Sequence, residues 1–406
     1  MYIKRHIEVA LNERAREKGV LVVTGARQVG KTTLIENVVP NIDKITLDNI
    51  DSRNQAREEP AAFMQLHPPP IFIDEVQYAP DIFSYIKINL DNSKKKGQYY
   101  LTGSQSFELM ENVTESLAGR AGILELYGLS LREIREEAWK KPFMPTLEYL
   151  MERKPTKREI SIKEVWRLIH RGTLPELVAN SQFNWRNFYA DYVKTYIERD
   201  VRRLTQIANE SDFTKFMTVC AAMTGSLLNL ASLARNIGIS EPTAKRWLSI
   251  LKSSGIIYLL KPYSNNQIKR AVKTPKLYFL DTGLAAYLTR WLTPETLSEG
   301  AMNGNFFESF VLAELLKSYA NAGLEEDFYY LRDSNGKEID LLIFQDNTLY
   351  PIEFKQNTNP TNKAIGGFTL LDGIKGVNVG EGGVICLASD ILPLRDNHKI
   401  IPIWAV

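Results

Sequence analysis

The chain has 406 residues, of which 44% are hydrophobic, and its 50 Lys and Arg against 48 Asp and Glu leave a formal charge of +2. Because positive and negative side chains are almost equal in number, the chain as a whole is not attracted to nucleic acid. Any contact with nucleic acid has to come from a local patch of positive charge. The two cysteines and four histidines are scattered, which argues against a disulfide framework or a zinc site and predicts a reducing, cytoplasmic location. No apolar run approaches the ~18 residues of a membrane helix, so no membrane partner is expected, and the length suggests roughly two to four domains.

A phosphate-binding loop is predicted close to the N-terminus. The run from Val20 to Thr24 is apolar and rich in valine, which indicates a buried strand. Residues 25–32 read GARQVGKT and fit the pattern G-x-x-x-x-G-K-[ST], and a helical pattern follows from Thr33 to Val38. A strand, a loop and a helix in this order are the context in which the pattern binds nucleotide phosphates.

The residues of this loop have separate expected roles. Gly25 and Gly30 allow backbone N–H groups to turn toward phosphate oxygens, and the helix that follows contributes its positive end. Lys31 is expected to reach the β- and γ-phosphates, Thr32 to ligate Mg²⁺, and Thr33 to complete the cofactor-binding set. The predicted cofactors are therefore ATP and Mg²⁺.

A second motif supports the first. Three prolines end one segment, and the run Ile71 to Glu75 follows as an apolar strand that ends in two acidic residues. In this Walker B pattern Asp74 is expected to hold Mg²⁺ through water, and Glu75 to orient or deprotonate the attacking water. Acidic pairs after apolar strands are common, but one that follows a phosphate-binding loop indicates ATP hydrolysis.

The chain resembles a large group of archaeal and bacterial AAA-type ATPases in four runs: GARQVGKTTL, IFIDEVQYAP, YYLTGSQSFELM and SLAGRAGILELYGLSLREI. These proteins lie near the origin-recognition and signalling-NTPase branch, and their C-terminal half is described as a domain of unknown function. The resemblance extends over almost the entire chain. It implies an ATPase core and leaves the biological role open.

The resemblance also implies two further groups at the nucleotide site. AAA-type proteins place a polar sensor residue at the tip of the third strand, which is predicted here from Gln98 to Thr102; Ser104 is the expected residue and Thr102 the alternative. They place an arginine finger before the last core strand, Ile123 to Leu126, where Arg120 stands. The finger completes the site of a neighbouring subunit, whereas the alternative is a structural arginine paired within its own domain.

The middle of the chain is predicted to be helical and then to form a winged helix. Asn184 to Leu204 has the spacing of one apolar helix face, and AAA-type lids often carry a sensor arginine, for which the candidates are Arg199, Arg202 and Arg203. From Asn229 to Leu248 the sequence indicates a helix, a glycine-centred turn and a second helix capped by Ser240, and Ile256 to Leu260 then reads as a strand.

A winged helix of this kind has residues suited to nucleic acid. The expected DNA contacts are Thr243, Lys245 and Arg246 on the second helix and Lys269 and Arg270 on the wing, because such side chains contact phosphates. The alternative is a module that packs internally or contacts another protein.

The C-terminal part resembles the PD-(D/E)XK nuclease arrangement. Glu353 and Lys355 are two apart on a predicted strand and share a face, Asp340 precedes the neighbouring strand, and Glu308 lies on a helix. Asp340 and Glu353 are expected to bind Mg²⁺, Lys355 to stabilise charge or activate water, and Glu308 to add a carboxylate. A same-face ion pair without catalytic activity is the alternative interpretation.

The expected fold class is therefore α/β, with four parts. They are an AAA-type P-loop core (1–130), a helical lid (131–222), a winged helix-turn-helix (223–295) and a restriction-endonuclease-like domain (296–406). The sequence favours an ATPase that acts on DNA and forms a homo-oligomer, with a C-terminal nuclease site. The alternatives are a nucleotide-switched regulatory or signalling protein, or a protein-binding module, in which the nuclease-like domain is inert.

Overall fold

A computed structural model describes residues 2–103, 116–196, 210–264, 273–372 and 374–406. Two sheets organise these residues, one of five strands and one of ten. The largest of three apolar clusters among these residues contains side chains as far apart in the sequence as Leu21, Trp166, Leu251 and Ile352. The parts of the chain are therefore packed together through continuous burial of apolar surface.

The first sheet carries the nucleotide motifs and is parallel throughout, in the order β2-β3-β4-β1-β5. Its strands are β1 (Val20–Thr24), β2 (Asp43–Thr46), β3 (Ile71–Asp74), β4 (Tyr99–Thr102) and β5 (Ala121–Glu125). The accompanying helices are α1 (Glu8–Glu17), α2 (Lys31–Val38), α3 (Ile50–Glu58), α4 (Pro60–Leu66) and α5 (Ile82–Ser93). Because β4 lies between β1 and β3, the carboxyl ends of all three meet at one edge of the sheet, where ligands bind in such folds.

A helical region follows, as the sequence predicts. Its helices are α6 (Leu131–Ile134), α7 (Leu147–Arg153), α8 (Ile162–Arg171), α9 (Pro175–Ala179), α10 (Trp185–Tyr196) and α11 (Glu210–Ala222). In α10 Phe188, Tyr192 and Tyr196, which belong to the predicted apolar face, are buried, and so is Tyr189. The rest of the predicted helix, up to Leu204, lies outside the described residues.

A helix, a turn and a helix come next. After β6 (Ser226–Leu227), α12 (Leu230–Ile237) ends at Gly238, whose φ of 83° is in the left-handed region that favours glycine. The side chain of Ser240 then accepts from the N–H of Thr243 and caps α13 (Glu241–Ser253). The strands β7 (Ile257–Pro262) and β8 (Lys276–Phe279) follow and pair antiparallel.

The C-terminal part builds most of the second sheet. Its helices are α14 (Thr282–Leu288), α15 (Pro294–Glu299) and α16 (Asn303–Asn321). Its strands are β9 (Phe328–Arg332), β10 (Glu338–Gln345), β11 (Thr348–Lys355), β12 (Asn378–Val379), β13 (Gly382–Cys386), β14 (Leu392–Pro393) and β15 (His398–Pro402). β7 pairs with β9, Lys261 opposite Tyr329, so the segment of α12, α13, β7 and β8 and the C-terminal segment share one sheet.

Two details of the tail differ from what its apolar runs predict. Leu387 to Ser389 has the composition of a strand, but β13 ends at Cys386 and irregular structure follows. Ile400 to Val406 also reads as a strand, whereas β15 ends at Pro402 and a short 3₁₀ turn, Ile403–Ala405, follows. Among the described helices, none combines the length and apolarity needed to cross a membrane.

Candidate functional site

The loop between β1 and α2 has the backbone that phosphate binding requires. Gly25 has a φ of 137° and Gly30 a φ of 93°, both in the region that side chains other than glycine rarely adopt. A Cβ on Gly25 would lie 2.1 Å from the carbonyl oxygen of Leu126, so the close approach of two chain segments also demands glycine. Helix α2 begins at Lys31, two residues before the predicted start, and its N-terminal N–H groups face the loop.

The predicted magnesium ligands lie together, Thr32 in the first turn of α2 and Asp74 at the end of β3. The hydroxyl of Thr32 is 3.1 Å from each carboxylate oxygen of Asp74, and the hydroxyl of Thr102, at the end of β4, also contacts Asp74. Mg²⁺ is usually held by one or two protein oxygen ligands together with substrate phosphates. One hydroxyl and one carboxylate at this spacing fit that requirement.

Lys31 and Glu75 flank this pair of ligands. The Lys31 ammonium donates to the carbonyl oxygens of Gly25 and Ala26, at 3.0 and 2.8 Å, and so lies inside the loop. Glu75 follows β3 in a left-handed conformation, with φ 57°, and its carboxylate accepts from the side-chain amide of Gln77. Backbone strain of this kind concentrates at functional sites. The strained turn at Glu75 is therefore consistent with its predicted role in orienting or deprotonating the attacking water.

A cavity of about 320 Å³ borders the loop on the side of α9. It is lined by Gln28, Gly30 and Thr33 of the loop region, by Pro175 and Glu176 of α9, and by Tyr2 and Ile3 near the N-terminus. A volume of this order suits a small ligand. The cavity therefore offers room for the base and ribose of a nucleotide whose phosphates occupy the loop.

Arg5 fixes the loop to the segment after β5. Its guanidinium donates to the carbonyl oxygens of Val29 (2.9 Å) and Tyr127 (2.8 Å) and pairs with Glu133 at 3.1 Å. Only 3% of its surface is exposed. A charged hydrogen bond network in such a buried position holds the loop in one arrangement.

The segment that leads into α9 is held from two directions. Asp281 accepts from the N–H of Thr173 at 3.0 Å and from the hydroxyl of Tyr189 at 2.5 Å. From α16, the buried ammonium of Lys317 donates to the hydroxyl of Thr173 at 3.1 Å and pairs with Glu314 at 2.7 Å. The wall of the cavity beside the phosphate-binding loop is thus positioned by residues of the C-terminal part of the chain.

Arg120 lies at the amino-terminal ends of the strands of the first sheet, opposite the end that carries the phosphate-binding loop. It precedes β5, and its backbone carbonyl accepts from the N–H of Val20 at the start of β1. Its guanidinium forms two hydrogen bonds to Asp91 of α5, at 2.7 and 3.0 Å, and these bonds lower the pKa of Asp91. Arg120 therefore cannot reach the nucleotide site of its own chain, and a finger role requires a neighbouring chain.

Several predicted residues fall outside the described part of the chain. They are the sensor candidate Ser104, the lid arginines Arg199, Arg202 and Arg203, and the wing residues Lys269 and Arg270. Thr102, the alternative sensor residue, is described and lies at the site through its contact with Asp74.

The second helix of the helix-turn-helix presents cationic side chains to solvent. Lys245 and Arg246 are exposed, while the residues on either side of them, Ala244 and Trp247, are buried. Thr243 is half-buried and its hydroxyl bonds to that of the capping Ser240 at 2.8 Å. Lys245 and Arg246 are thus available for phosphate contacts, whereas Thr243 serves the helix cap.

The four residues of the predicted nuclease arrangement lie together. The register of β10 and β11 pairs Leu341 with Ile352 and so brings Asp340 beside Glu353. Lys355 lies 2.8 Å from a Glu353 carboxylate oxygen and 3.5 Å from one of Asp340. The pKa of Asp340 is lowered: burial opposes its ionisation, but Lys276 and Lys355 overcome that effect. Burial and the charge of Asp340 raise the pKa of Glu353 to about 9.

A fifth residue, which the sequence did not indicate, stands among them. Lys276 of β8 pairs with Glu308 at 3.0 Å, contacts Glu338 and lies 3.9 Å from Asp340. Within the described ranges, no three carboxylate, imidazole or thiolate side chains are placed to hold a metal ion. The carboxylates of the C-terminal cluster, in which the sequence predicts a Mg²⁺ site, are thus already paired with lysine.

Comparison with known proteins separates the parts of the chain. Residues 17–135 match the family model of the AAA domain. Residues 162–295 and 303–406 match two domains of unknown function, DUF8612 and DUF4143. The matched model and the loop geometry agree that residues 17–135 form an AAA-type P-loop domain for binding ATP.

The proteins similar in sequence cover almost the entire chain, but their names give no function. An uncharacterised protein of Mycobacterium tuberculosis is 28% identical over 404 residues, which cover 99% of this chain and 84% of that protein; one of Mycobacterium bovis gives the same values. Among solved structures, a Walker-type ATPase of Pyrococcus abyssi shares 16% identity over 71% of this chain and 96% of its own, with a TM-score of 0.44.

Proposed function

We propose that the protein binds and hydrolyses ATP with Mg²⁺ at the edge of the first sheet. The observation that supports this most strongly is the convergence of Thr32, Asp74 and Thr102 from three separate elements beside the glycine loop. The loop N–H groups and Lys31 bind the phosphates, and Thr32 and Asp74 hold the metal ion, which neutralises phosphate charge when bound. Glu75 orients the attacking water and accepts its proton.

Two substitutions test this proposal. Lys31→Ala removes the phosphate-binding cation, and we expect nucleotide binding to be lost. Glu75→Gln keeps the size of the side chain but not its basicity, so ATP should still bind while turnover stops. Binding of a fluorescent ATP analogue and release of phosphate measure the two steps separately. Turnover by Glu75→Gln at the rate of the unmodified protein would show that another group activates the water.

A second part of the proposal is that nucleotide binding controls contact with DNA. The turn after α13 packs on the phosphate-binding loop: a Cβ at Gly255 would lie 3.2 Å from the backbone nitrogen of Ala26. The helix that ends at this turn exposes Lys245 and Arg246. A change in the conformation of the loop on nucleotide binding can therefore be transmitted to the cationic helix α13 through a direct backbone contact.

Salt dependence tests the DNA contact. Removal of one cation that neutralises a phosphate should make the slope of log K against log salt shallower by about 0.9 for duplex DNA. We expect Lys245→Ala with Arg246→Ala to weaken binding of duplex DNA and flatten this slope, with Lys163→Ala, which removes an exposed lysine of α8, as the matched control. The same double substitution should leave nucleotide binding unchanged.

The alternative is a nucleotide-switched regulatory or protein-binding protein. The same contact at Gly255 would then report the nucleotide state to a protein partner, and the C-terminal domain would be inert. Lys276 among the carboxylates favours an inert domain over the predicted nuclease. If DNA binding is absent at low salt while ATP turnover depends on protein concentration, the regulatory interpretation stands and self-association is its basis.

A further inference from the structure

The carboxylate cluster of the C-terminal domain already contains a cation. The ammonium of Lys276 lies 3.0 Å from a Glu308 oxygen and 3.9 Å from an Asp340 oxygen, and it contacts Glu338. These three carboxylates come from α16 and from β10. One positive charge therefore joins two elements at the point where a bound metal ion would have to do so.

Lys276 is fixed in this position. Its side chain is 4% exposed, and its backbone lies in β8, where it pairs with Leu260 on one side and Leu227 on the other. The ring of Tyr330 lies 5.7 Å from the ammonium. Because strands on both sides hold β8, the side chain has little freedom to withdraw into solvent.

Both carboxylate oxygens of Asp340, the central predicted metal ligand, already face partners within the protein. One faces Lys276, and the other accepts from the N–H of Phe354 at 2.9 Å and faces Lys355 at 3.5 Å. Mg²⁺ needs oxygen ligands at about 2.0–2.1 Å in near-octahedral geometry. A metal ion here would also be repelled by two ammonium groups that share its ligands.

We infer that Lys276 takes the place of a divalent cation. The cluster is then a network of ion pairs that links β8, α16, β10 and β11 without a metal ion. The predicted nuclease site is then closed to Mg²⁺ and Mn²⁺. Removal of Lys276 leaves Glu308 and Asp340 without that cation, beside Glu353, and creates the metal site that the sequence alone predicts. This inference does not depend on ATP hydrolysis at the first sheet.

Binding of Mn²⁺ to the nucleotide-free, full-length chain tests the inference. Electron paramagnetic resonance measures free Mn²⁺, and Asp340→Asn shows how much binding belongs to the C-terminal cluster. We expect the unmodified chain and Asp340→Asn to bind equally, and Lys276→Met to bind one more Mn²⁺ per chain. That gain should disappear in the double variant Lys276→Met, Asp340→Asn. Lys273→Met, which changes an exposed lysine of the same segment, should behave like the unmodified chain.

Two results would overturn the inference. One is Mn²⁺ binding by the unmodified chain that Asp340→Asn removes, and the other is a Lys276→Met variant with native circular dichroism that gains no ion. If Lys276→Met does not fold, the comparison between the unmodified chain and Asp340→Asn decides alone, since equal binding supports a closed cluster and unequal binding refutes it.

Discussion

The ammonium of Lys317, on the long helix of the C-terminal part, lies 3.1 Å from the hydroxyl of Thr173, in the segment that leads to the wall of the cavity beside the phosphate-binding loop. The same ammonium pairs with Glu314 at 2.7 Å, and Glu314 accepts from the N–H of Leu131 at 2.6 Å. Two domains of unknown function thus shape the site of the AAA domain.

Loss of this contact should weaken nucleotide binding. Thr173→Val removes one hydrogen bond of about 1 kcal/mol, and we expect nucleotide affinity to fall by roughly fivefold, since 1.4 kcal/mol corresponds to tenfold. Lys317→Met leaves Glu314 buried without its partner and should lower the free energy of unfolding by about 3–5 kcal/mol. Titration with a fluorescent nucleotide and urea unfolding measure the two effects. Unchanged affinity in Thr173→Val would show that the wall is held without this contact.

Gln77 is expected to affect turnover but not binding. It is buried, and its amide contacts the carboxylate of Glu75. Gln77→Leu keeps the volume and removes the contact, so the orientation of Glu75 is lost and ATP turnover should fall roughly tenfold, because small misplacements of catalytic groups cost up to about 10²-fold. Steady-state kinetics separate kcat from KM. A higher kcat in the variant would mean that Gln77 restrains Glu75.

Arg120 is expected to act on a neighbouring chain. Arg120→Ala should lower ATP turnover by about 10³-fold or more. A mixture of Arg120→Ala and Lys31→Ala chains should recover part of the activity, since the first supplies an intact site and the second an intact arginine. Asp91→Asn, which loosens the pair seen here, serves as the control and should retain turnover. Failure of the mixture to recover any activity would identify Arg120 as a structural residue.

His6 should make stability fall in acid. Burial lowers the pKa of His6, against the opposing effects of Glu133 and of the bond to the carbonyl of Glu137, while Arg132 and Lys140 lower it further. A lowered pKa means that the unfolded chain binds the proton first as the pH drops below about 6.5, so the free energy of unfolding decreases from pH 7.5 to 5.5.

His6→Gln tests that dependence. The glutamine amide can donate to the carbonyl of Glu137, as the ring nitrogen does at 2.8 Å, but it does not titrate. Urea unfolding at the two pH values should show a smaller difference for His6→Gln than for the unmodified chain. His67→Gln is the matched control, and an equal difference in all three proteins would assign the acid sensitivity to other groups.

The nucleotide motifs could be predicted because their structure is local. The strand from Val20 to Thr24 has the predicted bounds, and the loop of Gly25 and Gly30 follows from backbone constraints that glycine alone satisfies. The contact between Thr32 and Asp74 required only that α2 begin, and β3 end, at the carboxyl ends of parallel strands. Local patterns of this kind carry their own chemistry.

The residues that the sequence did not indicate act over long distances in the chain. Arg5 reaches Val29 and Glu133, and Lys276 reaches Glu308 and Asp340, in each case without a motif or a fixed spacing. The E-x-K pattern correctly placed Lys355 beside Glu353. It could not exclude a second lysine arriving from another strand, because that depends on tertiary packing.

The pairing of β7 with β9 has a practical consequence for anyone who divides this protein. If the chain is cut between residues 280 and 300, β7 in the N-terminal fragment loses its partner strand β9. The edge of β9 that pairs with β7 is then exposed in the C-terminal fragment. Bare strand edges pair with other chains and aggregate. Recombinant halves split at the apparent domain border are therefore expected to be insoluble alone and to recover solubility when produced together.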